Sequence, residues 1–425
     1  MTKFTHKLPK LVPGHAIRVV MFALLLAYFG ATATLAQTRG YVTNGNDNTV
    51  SVIDPVTHSV IATVPVGLSP TAVAATPDGR FAYVVNNAGN SVSVISAADN
   101  TVVATVPVGT FPTGVAITPN GAFAYVTSFL SANISVIDTA TNTVVTAIPV
   151  TFPFKLALAS SGNMGYVTHA SFDNTVTVIN TATNSVVTNI LVSANVVLTP
   201  AVTPDGAFVY VTCFSFFTGP TVAVINTATN SVIATVPLPA GSFPSGVAIT
   251  PDGAFAYVAN SGSPGSVSVI DTATNTEVAS VGVGSSTGGV AVTPDGAFVY
   301  VANGIDNTVS VISTVNNSVI AVVPVGNLPG DIAFGTQNDP IGSLIDQVEA
   351  LIAGGALTQD QGAGLLDKIR QASAKIDAGQ TGAACKQLSS FINQVNAFTG
   401  NGTLTPAQGQ PLIDAANALK SNSGC

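Results

Sequence analysis

Residues able to do chemistry are few in this chain and widely spaced. Past residue 36 there are two histidines, His58 and His169. Between residues 39 and 336 there is one glutamate, Glu277, and three basic residues, Arg39, Arg80 and Lys155. Metal-assisted hydrolysis needs several His, Asp or Glu side chains converging on one ion, and no His-x-x-x-His or Glu-bearing metal motif occurs. The two histidines fall in non-adjacent repeats of the chain, which argues against a shared ion. Serine and threonine are abundant, yet no Gly-x-Ser-x-Gly elbow comes with a partner histidine for nucleophilic catalysis. The three cysteines, Cys213, Cys385 and Cys425, form no Cys-x-x-Cys or Cys-x-x-Cys-His pattern, so redox, haem-attachment and zinc-ribbon chemistry lack their motif. Asp-Asn-Thr recurs at Asp47, Asp173 and Asp306; calcium ligation is one reading, and an Asp bonding its local backbone in a turn is the simpler one. The residues therefore predict a protein that binds rather than catalyses, with no catalytic, cofactor-binding or metal-binding side chains.

What positions these residues is an internal repeat. Tyr-Val recurs at Tyr41, Tyr83, Tyr125, Tyr166, Tyr210, Tyr257 and Tyr300, at spacings of 42, 42, 41, 44, 47 and 43 residues. Each unit holds four short segments rich in β-branched residues, as in 112–118, 123–127, 134–137 and 144–148, which suits pleated strands. Thr-Pro-Asp-Gly at 76–79, 203–206, 250–253 and 293–296, with Thr-Pro-Asn-Gly at 118–121, marks one hairpin turn. Proline presets φ there, Asp or Asn caps, and Gly takes the positive φ. Asp-Thr-Ala-Thr-Asn at 138–142 and 271–275, or its Asn-first form at 180–184 and 226–230, marks the second. A four-stranded repeat of about 40–45 residues is one propeller blade. The first unit lacks its innermost strand, and the chain supplies one more at Pro329–Phe334. The predicted fold is thus a seven-bladed β-propeller over 39–336, closed by strands from both ends of the array.

Tyr41-Val-Thr-Asn44, with Tyr-Val-Ala-Asn at 257–260 and 300–303, resembles the signature of the YVTN-type propeller repeats of exported and surface-layer proteins. The resemblance spans about residues 40–336. It implies seven blades and an extracytoplasmic setting, and says little about a ligand.

After Pro340 the pattern turns helical, so residues 340–425 are expected to form a small all-α domain. Ile341, Leu344, Ile345, Val348, Leu351 and Ile352 make one apolar face, ended by Gly354-Gly355. Capping boxes start further helices at Thr358 and Thr405, and Leu357-Thr-x-x-Gln-Gly-x-x-Leu365 matches Leu404-Thr-x-x-Gln-Gly-x-x-Leu412. Phe391-Ile-Asn-Gln-Val-Asn-Ala-Phe398 resembles the FIMAH-type helical domain appended to many exported bacterial proteins. Cys385 begins the third helix and Cys425 follows the fourth; in an antiparallel pair these ends are neighbours, and a disulfide between them is expected.

Only 8% of residues are charged against about 25% in an ordinary globular protein. Lys3, Lys7, Lys10 and Arg18 precede an apolar run from Val19 to Ala36, the pattern of a secretory leader spanning residues 1–36, with an uncleaved anchor as the rival reading. Losing its four basic and no acidic residues takes the net charge from −8 to −12, which disfavours nucleic acid. No later stretch approaches the ~20 apolar residues of a transmembrane helix, so none is expected once the leader is removed.

In a propeller the second-to-third and fourth-to-first connections share one face. Here they hold Phe111, Phe129 with Leu130, Phe152, Phe154, Phe172, Phe214, Phe216, Phe217 and Phe243, from blades three to six. Blades one, two and seven offer Asn, Gly and Ser instead. An aromatic sector of this kind is what a partner-binding surface needs, and Phe129, Leu130, Phe172, Phe214, Phe216, Phe217 and Phe243 are its candidate residues. These side chains also have two other uses: sealing blade gaps, or docking the helical segment. The expected role is a secreted, periplasmic or cell-surface scaffold that binds an envelope protein or glycan without a cofactor. The alternatives are a lactonase-like or quinone-dependent dehydrogenase-like propeller enzyme, and a self-assembling structural component of the envelope.

Overall fold

The computed structural model describes residues 38–169, 174–336, 340–377, 380–422 and 425. The leader expected at 1–36 lies outside them. Seven four-stranded antiparallel sheets follow one another along residues 38–336, each ordered from an innermost to an outermost strand. The first blade takes its inner strand, Pro329–Thr336, from the far end of the array. That strand pairs with Thr38–Asn44 in a ladder running from Thr38 opposite Thr336 to Asn44 opposite Pro329, with a register shift after Val42. Ring closure is therefore non-covalent and covers the strand edge that Thr38–Asn44 would otherwise offer to another chain.

The repeated residues each have a place in this architecture. All seven Tyr-Val tyrosines are buried, and their burial raises the pKa of the phenols, to about 12 for Tyr83, Tyr210 and Tyr257. A phenol so placed stays protonated and needs a partner. Tyr83 donates to Asn142 Oδ1 of the next blade at 2.7 Å, Tyr125 to Asn184 at 2.7 Å, Tyr210 to Asn275 at 2.6 Å and Tyr257 to Asn317 at 2.7 Å. Each accepting Asn closes a hairpin with φ between 49° and 54°, a left-handed conformation that Asn tolerates better than most residues. In the Thr-Pro-Asp-Gly turns the Thr hydroxyl donates to the Asp carboxylate, as Thr203 does to Asp205 at 2.5 Å, and this holds the carboxyl below its ordinary pKa.

Apolar packing joins neighbouring blades. Tyr210, Val222 and Val224 of the fifth blade share a core with Val247, Val258 and Ile270 of the sixth. Val42, Ile53 and Ile332 of the first pack on Tyr300, Val309 and Val311 of the seventh, so the seam is as apolar as any other junction. Burying each such Val or Ile side chain contributes about 1.5–3 kcal/mol. The outermost strands alternate exposed and partly buried residues and end in Pro65, Pro107, Pro149, Pro237 and Pro324. Proline cannot donate to a further strand, which blunts these edges.

Described by itself, the C-terminal unit has four helices: α1 (Pro340–Ala353), α2 (Gln359–Asp377), α3 (Thr381–Gly400) and α4 (Pro406–Asn422). Gly355, at φ +74°, ends the turn after α1. Thr358 N–H donates to Gln361 Oε1 at 2.9 Å and Thr405 N–H to Gln408 Oε1 at 2.9 Å, which caps α2 and α4 alike. Leu344, Leu365, Ile369, Leu388, Phe391 and Leu412 meet in one core. Cys385 and Cys425 are joined by a disulfide, with Cα atoms 5.9 Å apart.

Candidate functional site

On the loop face the phenylalanines form two groups. Phe129 lies 5.2 Å from Phe152 and 6.2 Å from Phe111, ring centre to ring centre. Phe214 lies 4.9 Å from Phe243 and 5.5 Å from Phe216. Phe217 stands free of both at 91% exposure, Phe216 is 70% exposed, and Leu130 is also exposed. Phe172 lies outside the described residues. The backbone is strained beneath part of this surface: Phe111 and Phe152 have φ of 57° and 46°, a region costly for bulky side chains, of order 1–3 kcal/mol each. The equivalent positions Ser69 and Ser286 hold small residues in the same conformation, and Leu328 a bulky aliphatic one.

Two features differ from the sequence reading. Phe154, Phe214 and Phe243 are strand residues rather than loop residues: Phe154 sits in the inner strand Pro153–Leu158 and lines the central channel, Phe214 lies in Phe208–Ser215, and Phe243 opens the inner strand Phe243–Ile249 and also lines the channel. The contrast between sectors is also weaker than expected, because Leu68, Ile305 and Leu328 are exposed on the loops of blades two, seven and one.

The reactive side chains are occupied by the scaffold. His58 replaces the hairpin Asn at φ 48°, and its Nδ1 lies 2.6 Å from Tyr300 Oη across the closing seam. His169 stands where other repeats have Asn44, Asn86, Asn260 or Asn303. Those asparagines bond hydroxyls of the neighbouring strand, such as Ser51 from Asn44 at 2.9 Å, and His169 Nε2 meets Thr177 Oγ1 at 2.7 Å in the same way. Asp47 accepts from Asn327 N–H and its side-chain amide, both at 2.7 Å, which lowers its pKa. Asp306 accepts from Ser285 N–H at 2.7 Å; Asp173 lies outside the described residues. Among the described residues no three His, Cys, Asp or Glu side chains gather as an ion site. Cys213 is buried and unpaired, and burial pushes its thiol up to about 12, away from the thiolate that reactivity requires.

Sequence reasoning passed over the channel. All seven inner strands contribute to a cavity of about 370 Å³, whose wall includes Phe243. Each inner strand begins with a register shift, between Pro70 and Ala72 or Pro244 and Val247 for example. The shift frees carbonyls for the adjacent blade: Thr127 donates to Phe154 O at 2.7 Å, Thr199 to Ser245 O at 2.6 Å and Ser245 to Gly288 O at 2.9 Å. Just after each freed carbonyl stand Ala72, Gly114, Lys155, Thr199, Gly246, Gly289 and Asp331. Five are small and uncharged; the other two carry opposite charges, and Lys155 Nζ lies 3.9 Å from Asp331 Oδ2. Aligning the inner strands on their shared Pro and Val positions would have exposed this pair.

Together these features define a seven-bladed β-propeller with one aromatic loop face and one charged channel mouth, followed by a four-helix unit. Residues 341–421 match the FIMAH domain, and residues 36–154 match the Cytochrome D1 heme domain, itself a propeller family. Among solved structures, the chain is similar to Kuenenia stuttgartiensis hydrazine synthase at 22% identity and a TM-score of 0.58, over 62% of this chain and 89% of that one. It is also similar to a functionally unknown protein from Desulfotomaculum acetoxidans at 19% identity and a TM-score of 0.62, over 71% of this chain and 99% of that one. These likenesses establish the fold. The comparison with curated proteins gives no match. A haem does not fit the residues present: no His, Met, Cys or Tyr among the described residues lines the channel to ligate its iron.

Proposed function

We propose that this chain is an exported, non-enzymatic binding protein of the YVTN type that holds an envelope protein or glycan on its aromatic loop face. The observation that carries the reading is the exposure of Phe216 and Phe217, at 70% and 91%, beside the packed rings of Phe214 and Phe243. Large apolar side chains held exposed together mark interaction surfaces. Aromatic side chains supply much of the energy at protein interfaces and stack on flat ligands. The Cys385–Cys425 disulfide supports an oxidising compartment, such as the periplasm or the cell surface.

The test is binding of the purified chain to fractionated envelope material. Phe216→Ser with Phe217→Ser removes the two most exposed rings without touching the core, and adding Phe214→Ser leaves only Phe243 of that group. At least tenfold weaker binding with an unchanged melting curve is expected; undiminished binding, or no binding fraction at all, overturns the reading. The Cytochrome D1 heme domain match favours an enzyme of lactonase-like or dehydrogenase-like type as a second reading. The channel's single Lys–Asp pair gives that reading little acid–base chemistry to work with.

A further inference from the structure

We propose that the mouth of the central channel binds a small zwitterion, namely a free amino acid with an apolar side chain, at a site that shares Phe243 with the aromatic loop face but not Phe216 or Phe217. Lys155 and Asp331 are placed by the first and fourth blades so that they face each other over the cavity, with side chains 21% and 25% exposed. Such a loosely paired, part-exposed couple contributes about 0–1 kcal/mol to folding, so the scaffold gives no reason for it. Five other blades manage that position with Ala, Gly or Thr.

The geometry leaves both charges available. At 3.9 Å the pair is longer than the ~2.7–2.9 Å of a charge-assisted hydrogen bond. Lys155 Nζ has three donors and makes no hydrogen bond among the described residues. Asp331 is held by backbone: Ile332 N–H reaches Oδ1 at 3.0 Å and Val73 N–H reaches Oδ2 at 3.3 Å, while further lone pairs on both oxygens remain. The carboxylate is thus fixed in direction, while Lys155 Nζ lies 6.0 Å over the centre of the Phe154 ring.

Charge balance then selects the ligand. A simple anion on Lys155 would leave Asp331 without its partner, and a cation on Asp331 would strand Lys155; either leaves a partly desolvated charge uncompensated. A molecule with a carboxylate and an ammonium a few ångströms apart satisfies both, its carboxylate on Lys155 and its ammonium on Asp331. The remaining wall is apolar, with Leu198, Phe243, Val247 and Val290, and Gly246 and Gly289 add no side-chain bulk. A volume of about 370 Å³ lies at the lower end of the ~300–1,000 Å³ of small-molecule sites, which suits one amino acid rather than a chain.

The experiment is calorimetric titration of the full chain with leucine and phenylalanine, alongside N-acetyl-leucine, which lacks the ammonium, and leucinamide, which lacks the carboxylate. Submillimolar binding of at least one amino acid is expected, with both stripped analogues at least tenfold weaker. Lys155→Met should bring leucine down to the level of leucinamide, and Asp331→Asn should bring it down to N-acetyl-leucine. If either variant melts early, the exchanged pair Lys155→Asp with Asp331→Lys restores neutrality and must still prefer the zwitterion. No heat at millimolar ligand, or equal binding of the stripped analogues, overturns the proposal. Phe216→Ser with Phe217→Ser leaves this titration unchanged, so failure here is separable from failure of the loop-face reading.

Discussion

Tyr300 meets His58 where four other blade junctions pair a tyrosine with an asparagine, and that exchange sets a residue-scale expectation. Burial raises the pKa of Tyr300, so its phenol stays protonated and needs a partner. His58 Nδ1 provides one at 2.6 Å, and the imidazole edge also packs on Phe298, 4.9 Å between ring centres. His58→Asn restores the residue used at Asn142, Asn184, Asn275 and Asn317, in a conformation Asn adopts readily, and should leave the propeller's melting transition within a degree or two of the wild type. His58→Ala leaves the phenol unpartnered and keeps the positive φ, which should cost about 1–3 kcal/mol. Denaturant titration of the two variants checks this. Equal stability would mean that the tyrosine–turn bond contributes nothing at the seam.

At the scale of elements, α3 and the chain just past α4 are tied by Cys385–Cys425, 40 positions apart in sequence. Closing a loop of that length in the unfolded chain removes entropy worth about 3–4 kcal/mol. Cys385→Ala with Cys425→Ala should therefore lower the helical melting transition and leave the β-sheet transition in place, as far- and near-ultraviolet dichroism would show. A joint shift of both would contradict the separate cores of the two units. Strands, turns and helices were legible in the sequence because each has a period or a turn residue of its own: Tyr-Val, Pro-Asp-Gly, the two capping boxes. The start of each inner strand was not. The register shift there breaks the alternation from which inward and outward positions are read, so Phe154 looked like a loop residue. Lys155 and Asp331, one hidden in the fourth blade and the other in the closing strand, gave no local sign of meeting. The aromatic face was half legible. Sequence placed Phe129, Phe216 and Phe217 on the right connections but not Phe214 and Phe243, which lie in strands, and the positive φ at Phe111 and Phe152 is a property of the folded loop alone.

The whole molecule depends on one junction that the chain does not connect covalently. Six blades receive all four strands from consecutive sequence, whereas the first is completed by Pro329–Thr336. Loss of packing inside another blade leaves that blade tethered at both ends. Loss of packing at the closing strand frees the Thr38–Asn44 edge, which carries the buried Tyr41 and Val42 and a row of unpaired backbone groups. Such an edge recruits other chains. Ile332→Asp puts a charge into the seam, where Ile332 packs with Val42 and Tyr300, at a cost of about 3–5 kcal/mol. It should yield concentration-dependent oligomers in light scattering before the bulk of the β-signal is lost. Ile305→Asp, on an exposed loop of the seventh blade, should remain indistinguishable from the wild type. An Ile332→Asp protein that stays monomeric and melts normally would show that the ring holds without its closing strand, and the inter-blade cores alone would then have to account for its stability.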